Sequence, residues 1–140
     1  MTIDLRNYSP AETVRVSNRL SDVVMYADRH AKSSRLDFAM FLTEAILQAF
    51  PDDKVSLFYS KVTGIIVIAS PFVGNDKNTF AVSQKKSSKS GLSITATPTL
   101  ETIVKLFGEH KVYGFNWRFD SASGGDGRVM VLEPNGKWRD

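Results

Sequence analysis

The sequence predicts an α+β domain with the element order ααββββαββ, a mostly antiparallel sheet whose helices pack on one face. Three observations predict it. Two early stretches, 9–29 and 33–50, carry apolar residues at helical spacing. From residue 55 onward, short alternating or β-branched runs are separated by Gly, Asn and Asp. A third helical pattern at 97–107 then leads into KVYGFNWRF (111–119), which has an aromatic ring at every second position.

The first helix is expected to start at Ser9-Pro10-Ala11-Glu12. Serine caps, proline suits the first helical position, and glutamate three residues after the serine closes a capping box. Val16, Leu20, Val23, Val24 and Ala27 then form its buried stripe. Ser33 or Ser34 caps the second helix, whose apolar residues nearly encircle it: Leu36, Phe38, Phe41, Leu42, Ile46 and Phe50 among them. A helix of that kind is buried on more than one side, as a central core helix or in a dimer interface. Pro51-Asp52-Asp53 ends it.

Strands follow. Val55–Ser60 alternates and Ile65–Ala69 is a continuous apolar run, so the two read as a hairpin whose second strand is central. Thr79–Ser83 and Leu92–Thr97 read as a second hairpin, with Phe80, Val82, Leu92, Ile94 and Ala96 inward and a basic tip at 84–91. Thr97-Pro98 opens the third helix, with Leu100, Ile103, Val104 and Phe107 on its buried face and Gly108 beyond its end. After the aromatic strand, a glycine-rich loop at 121–127 leads to a last strand, Arg128–Glu133. Pro134-Asn135-Gly136 is read as a turn before a tail, Lys137-Trp138-Arg139-Asp140. No repeat or linker divides the chain, so one domain spanning 1–140 is expected.

Composition narrows the function. Of 140 residues, 42% are hydrophobic and 24% charged, an ordinary balance for a chain that builds its own core. There is no cysteine, which excludes disulfides, thiolate catalysis and cysteine-held metals. No apolar run approaches the roughly 20 residues that span a bilayer, and MTIDLRNYSP does not read as a signal peptide; a cytoplasmic location and no membrane partner are expected. The net charge is +3, and the positive excess lies in the second half. Lys77, Lys85, Lys86 and Lys89 fall in a stretch with no acid between Asp76 and Glu101, which favours an anionic partner.

No motif specifies a reaction. His30 and His110 are too few for a three-histidine zinc site, and no HExxH spacing occurs. His110, just past the third helix, is placed to meet that helix's terminal carbonyls. Asp52, Asp53 and Asp120 are the only carboxylates considered for a small hydrolase, a minor reading. The expected protein is therefore non-enzymatic and has no cofactor or metal.

The leading reading is a nucleic-acid-binding protein that prefers single-stranded DNA or RNA. Its contacts would be Lys85, Lys86, Lys89, Arg118, Arg128 and Trp138, with Trp117 as a stacking ring. The four rings Tyr113, Phe115, Trp117 and Phe119 share one strand face, which is either a stacking platform or, more in keeping with aromatic burial, the core face. The alternative is a protein-binding module, an inhibitor, adaptor or assembly subunit acting through an apolar surface, and a possible homodimer through the second helix.

Overall fold

Eight antiparallel strands close on themselves in the order β1-β2-β6-β5-β3-β4-β8-β7, with β7 returning to β1. The computed structural model describes residues 2–9, 20–28, 30–71, 79–84, 91–121 and 128–140. The strands are β1 (Val23–Asp28), β2 (Ser33–Phe38), β3 (Lys54–Tyr59), β4 (Ile66–Ala69), β5 (Thr79–Gln84), β6 (Leu92–Thr95), β7 (Val112–Ser121) and β8 (Arg128–Arg139). Among the described residues the α-helices are α1 (Thr43–Ala49), which follows a 3₁₀ turn at Met40–Leu42, and α2 (Thr97–Phe107). No helix among the described residues is long and apolar enough to cross a membrane.

The α+β layer predicted from the sequence is thus overturned: the protein is a closed barrel, and its helices do not lie together on one sheet face. The correction begins at residue 23. Val23 and Ala27, assigned with Val24 to the stripe of a first helix, instead alternate with Met25 along a strand and point with it into the barrel. Residues 10–19, which hold the start of that predicted helix, lie outside the described residues. The second predicted helix fails over its first half for a similar reason. In SSRLDF, Ser34, Leu36 and Phe38 are buried while Ser33, Arg35 and Asp37 are not, a period of two. Strands β1 and β2 make a hairpin in which Ala27 faces Ser34, Met25 faces Leu36 and Val23 faces Phe38. Asp28 Oδ1 accepts the amide hydrogens of His30 and Ala31 in the turn, and Lys32 takes φ 50°.

Two hairpins form where the sequence puts them, β3–β4 and β5–β6. The apolar run at 65–69 is buried on both faces. Ile66 and Ile68 enter the main core, while Val67 and Ala69 join Ile65, Val129 and Val131 in a second cluster outside the barrel wall. Helix α2 also forms as predicted, with proline in its first turn and Gly108 beyond its end at φ 86°.

The helices close opposite ends of the barrel. Helix α2 leaves from the end of β6; the Met40–Leu42 turn and α1 leave from the end of β2, where antiparallel β6 begins. Ile103 is buried, and Leu100, Val104 and Phe107 pack on the core. The β3–β4 turn tucks beneath α2: a Cβ on Gly64 would meet Ile103 and Phe107 at 3.1 Å. At the other end, Leu42, Ile46 and Phe50 enter the same core. A barrel of eight strands is just narrow enough for side chains to fill, which accounts for the continuous core from Val23 to Leu132.

The last strand is longer than the sequence suggests. Pro134-Asn135-Gly136 does not turn the chain away. It forms a bulge between the pairs Phe115↔Pro134 and Tyr113↔Trp138, and the tail stays paired to β7 as far as Val112↔Arg139. Asn135 Nδ2 donates to Ser21 Oγ at 2.8 Å, and Asn135 Oδ1 accepts from Lys137 N at 3.0 Å. This side chain occupies the space that a Cβ on Gly114 would need, with Oδ1 only 2.7 Å from it. Outside the barrel, Asp4 caps a 3₁₀ turn at Leu5–Asn7, and hydrogen bonds from the Arg6 side chain and amide hold its carboxyl below the usual carboxylate range.

Candidate functional site

Of the seven residues expected to contact nucleic acid, four are described, and Trp117, Arg118, Arg128 and Trp138 are spread along β7 and β8. Lys85, Lys86 and Lys89 lie outside the described residues. Arg118 stands on the outer face of β7, where its Nη1 donates to Glu133 Oε1 and its Nε lies 4.0 Å from Asp120. Its charge is already matched across the strand pair. Both partners are about half exposed, so the pairing adds little stability: Arg118→Ala is expected to lower unfolding free energy by less than about 0.5 kcal/mol, a difference that vanishes at high salt in urea titrations. Arg128 starts β8 opposite Ser121 and is exposed. Trp138 lies near the far end of the same strand, about 30 Å away at the rise of an extended chain.

The rings on β7 are mostly core. Tyr113 and Phe115 are buried, and Trp117 and Phe119 are half-buried against the same cluster. The Trp117 indole donates to Asp22 Oδ2 at 3.1 Å, and its ring meets Phe41 at 6.3 Å and Phe119 at 6.0 Å. Trp138 is on the surface, stacked on His110 at 4.8 Å with the planes 18° apart. His110 meets the helix end as its position suggests: Nε2 lies 3.1 Å from Phe107 O, and Nδ1 lies 2.5 Å from Asp140 Oδ1. His30 lies in the β1–β2 turn. Asp52 and Asp53 precede β3 and Asp120 lies on β7, and these two strands are not neighbours in the barrel. Among the described residues, no three His, Cys, Asp or Glu side chains gather to hold a metal.

Two surfaces come together instead, one at each end of the barrel. At the α1 end, Met40 and Phe41 project from the 3₁₀ turn, 47% and 64% exposed. Their neighbour Leu42 is fully inside, which anchors the turn. A groove of about 520 Å³ runs beside them, lined by Met40, Phe41, Thr43, Glu44, Leu47 and Gln48. The sequence presents these residues as members of an all-round apolar helix. The structure divides that set, sending Leu42, Ile46 and Phe50 inward and leaving Met40 and Phe41 outside.

At the α2 end, a cleft of about 690 Å³ lies between the β1–β2 hairpin and the α2–β7 connection. The Arg35 guanidinium lies over the Tyr26 ring at 4.9 Å and bonds Asp37 Oδ1 through Nε at 3.1 Å. Ser34 is among the residues of the cleft, is 5% exposed, and its buried Oγ has no hydrogen-bond partner among the described residues. Tyr26 and Arg35 face each other across β1 and β2. The helical reading of both segments hid that pairing; the alternation in SSRLDF was the signal that could have revealed it. Compared with protein-family models, with curated proteins and with solved structures, the chain matches none.

Proposed function

We propose that the protein is a non-enzymatic protein-binding module whose α1 end grips a short apolar segment of a partner. The observation that carries this is the exposure of Met40 and Phe41 on a turn fixed by buried Leu42, beside an open groove. Two large adjacent apolar side chains held rigidly in water are what a binding hot spot requires. Glu44 at the groove favours a segment with a basic residue next to its apolar anchor.

Size argues for a segment over a second copy of the chain. A standard interface uses about 20 to 30 residues on each side, whereas this groove is framed by one turn and one short helix. The residues that suggested a helix-to-helix dimer are largely spent inside the barrel. The nucleic-acid reading asks for a shared basic and aromatic surface. Its described members lie on different faces and ends, and Arg118 is matched by Glu133.

The test is selection of displayed peptides on the wild-type protein, with counter-selection on a variant carrying Met40→Ser and Phe41→Ser. Enriched peptides should share a large apolar anchor, bind wild type at micromolar Kd, and bind the variant about tenfold or more weakly. The variant should melt like wild type, since both side chains are exposed. Trp117 emission should respond to bound peptide through its contact with Phe41. Failure to enrich any peptide, together with saturable and salt-sensitive binding of single-stranded oligonucleotides, would return the nucleic-acid reading to the lead.

A further inference from the structure

The occupant of the groove at the α1 end can be identified more closely, on the footing of the reading given above for that groove. The segment at 2–9 is exposed along its whole length. Its three large apolar side chains, Ile3, Leu5 and Tyr8, stand 63%, 77% and 64% in water. Elsewhere the large apolar residues are mostly packed in the barrel. A short segment that concentrates exposed apolar surface marks an interaction site.

The segment has the chemistry that the groove selects. Leu5 supplies a large apolar anchor, and Arg6 is the basic residue beside it. Asp4 takes one edge of the Arg6 guanidinium, through Nε and Nη2 at 3.1 Å each. The Nη1 side is left to face a second carboxylate. Glu44 at the groove is exposed and makes no ion pair among the described residues. The chain also enters the barrel at the groove's end. Ala39 N donates to Asp22 O at 2.8 Å, so the residue before β1 lies against the residue before the Met40–Leu42 turn. From Ser9 to Leu20 the chain spans at most about 40 Å, which ties the segment to that end. In the single chain both halves of this match stay in water: the segment, and the pair Met40 and Phe41.

We propose that two copies of this chain pair by exchanging segments, with Ile3–Tyr8 of each copy lying in the α1-end groove of the other. Leu5 and Tyr8 pack against Met40 and Phe41, and Arg6 meets Glu44 of the other copy. An exchanged segment covers the groove without the broad face that two docked barrels need. The contact is made twice about a two-fold axis, and the first one formed raises the effective concentration for the second.

Sedimentation of the full chain from about 1 μM to about 1 mM tests this, and wild type should pass from monomer to dimer with a micromolar midpoint. Leu5→Ser with Tyr8→Ser, and separately Met40→Ser with Phe41→Ser, should each weaken self-association about tenfold or more. All four side chains are exposed, so both variants should melt like wild type at dilutions where every sample is monomeric. The decisive sample is an equimolar mixture of the two variants. One keeps its segment and the other its groove, so each mixed pair regains one intact contact. The mixture should associate more strongly than either variant alone and less strongly than wild type. Unchanged association of either variant, or a mixture no stronger than its components, overturns the inference. So does a wild type that stays monomeric throughout. If that monomer still enriches displayed peptides, the exchange alone falls and the groove reading stands; if it enriches none, both fall. A monomer whose groove binds those peptides more tightly after Leu5→Ser with Tyr8→Ser has its own segment in the groove, which also overturns the exchange.

Discussion

Phe115→Ala is expected to lower the free energy of unfolding by about 4 kcal/mol, a large part of the total for a domain of this size. The ring is 1% exposed in the middle of β7, with Val23 opposite on β1 and Pro134 opposite on β8. It therefore sits at the seam that closes the barrel, where the strand nearest the amino end meets the aromatic strand. Truncation removes most of a phenyl group from a core that has little freedom to collapse, because three paired strands fix the surrounding backbone. Asn116→Ala, one residue on and exposed on the outer face, should change stability by no more than about 0.5 kcal/mol. Trp117→Ala should fall between the two, since that ring is only half-buried. Urea titrations of the three variants check this directly. Equal losses at 115 and 116 would mean that β7 does not present alternate residues to a core.

Alternation is also what made part of the fold legible. The strand at 111–119, the two hairpins and α2 each carry their own local signal: period two with turn residues, or period 3.6 with a cap and a terminal glycine. The stretch from 20 to 38 carries two signals at once. Val23, Val24 and Ala27 satisfy a helical stripe, while Val23, Met25 and Ala27 satisfy a strand face equally well. What decides between them is pairing with β2 and with β7, and the second of these partners is far away in the sequence. Once 23–38 becomes a hairpin, the strand count reaches eight and the sheet can close. A closed sheet buries its inner face against itself, so it needs no helical layer, and the helices are left to plug the ends. The whole α+β expectation thus turned on one hairpin.

The same ambiguity hid the site. Leu36, Phe38, Leu42, Ile46 and Phe50 looked like one apolar helix because a strand interior and an end plug follow each other without a polar break. Only three-dimensional placement separates those that fill the barrel from Met40 and Phe41, which do not. The tail was misread for a different reason. Proline, asparagine and glycine in succession mark a turn in most chains, and here a bulge absorbs them inside a strand. Gly114 is the feature that permits it, because Asn135 occupies the space over that position.

The second large loss is expected from Gly91→Ala. A Cβ built there lies 2.3 Å from Phe38 O and 3.0 Å from Ala39 C, and both are backbone atoms that no rotamer change can move. Relief requires β6 to withdraw from the end of β2, at a cost of about 3 kcal/mol. Gly136→Ala is the contrasting case. Its φ of 76° strains any other residue, but nothing lies within 4 Å, so the loss should be only about 1 to 2 kcal/mol. The difference has a functional side. Ala39 leads directly into the turn that carries Met40 and Phe41, so a shift at Gly91 displaces the proposed binding knob as well as the strand seam. Gly91→Ala should therefore lose stability and peptide binding together, while Phe41→Ser loses binding alone. A Gly91→Ala protein with wild-type stability would show that β2 and β6 do not approach as closely as this barrel requires.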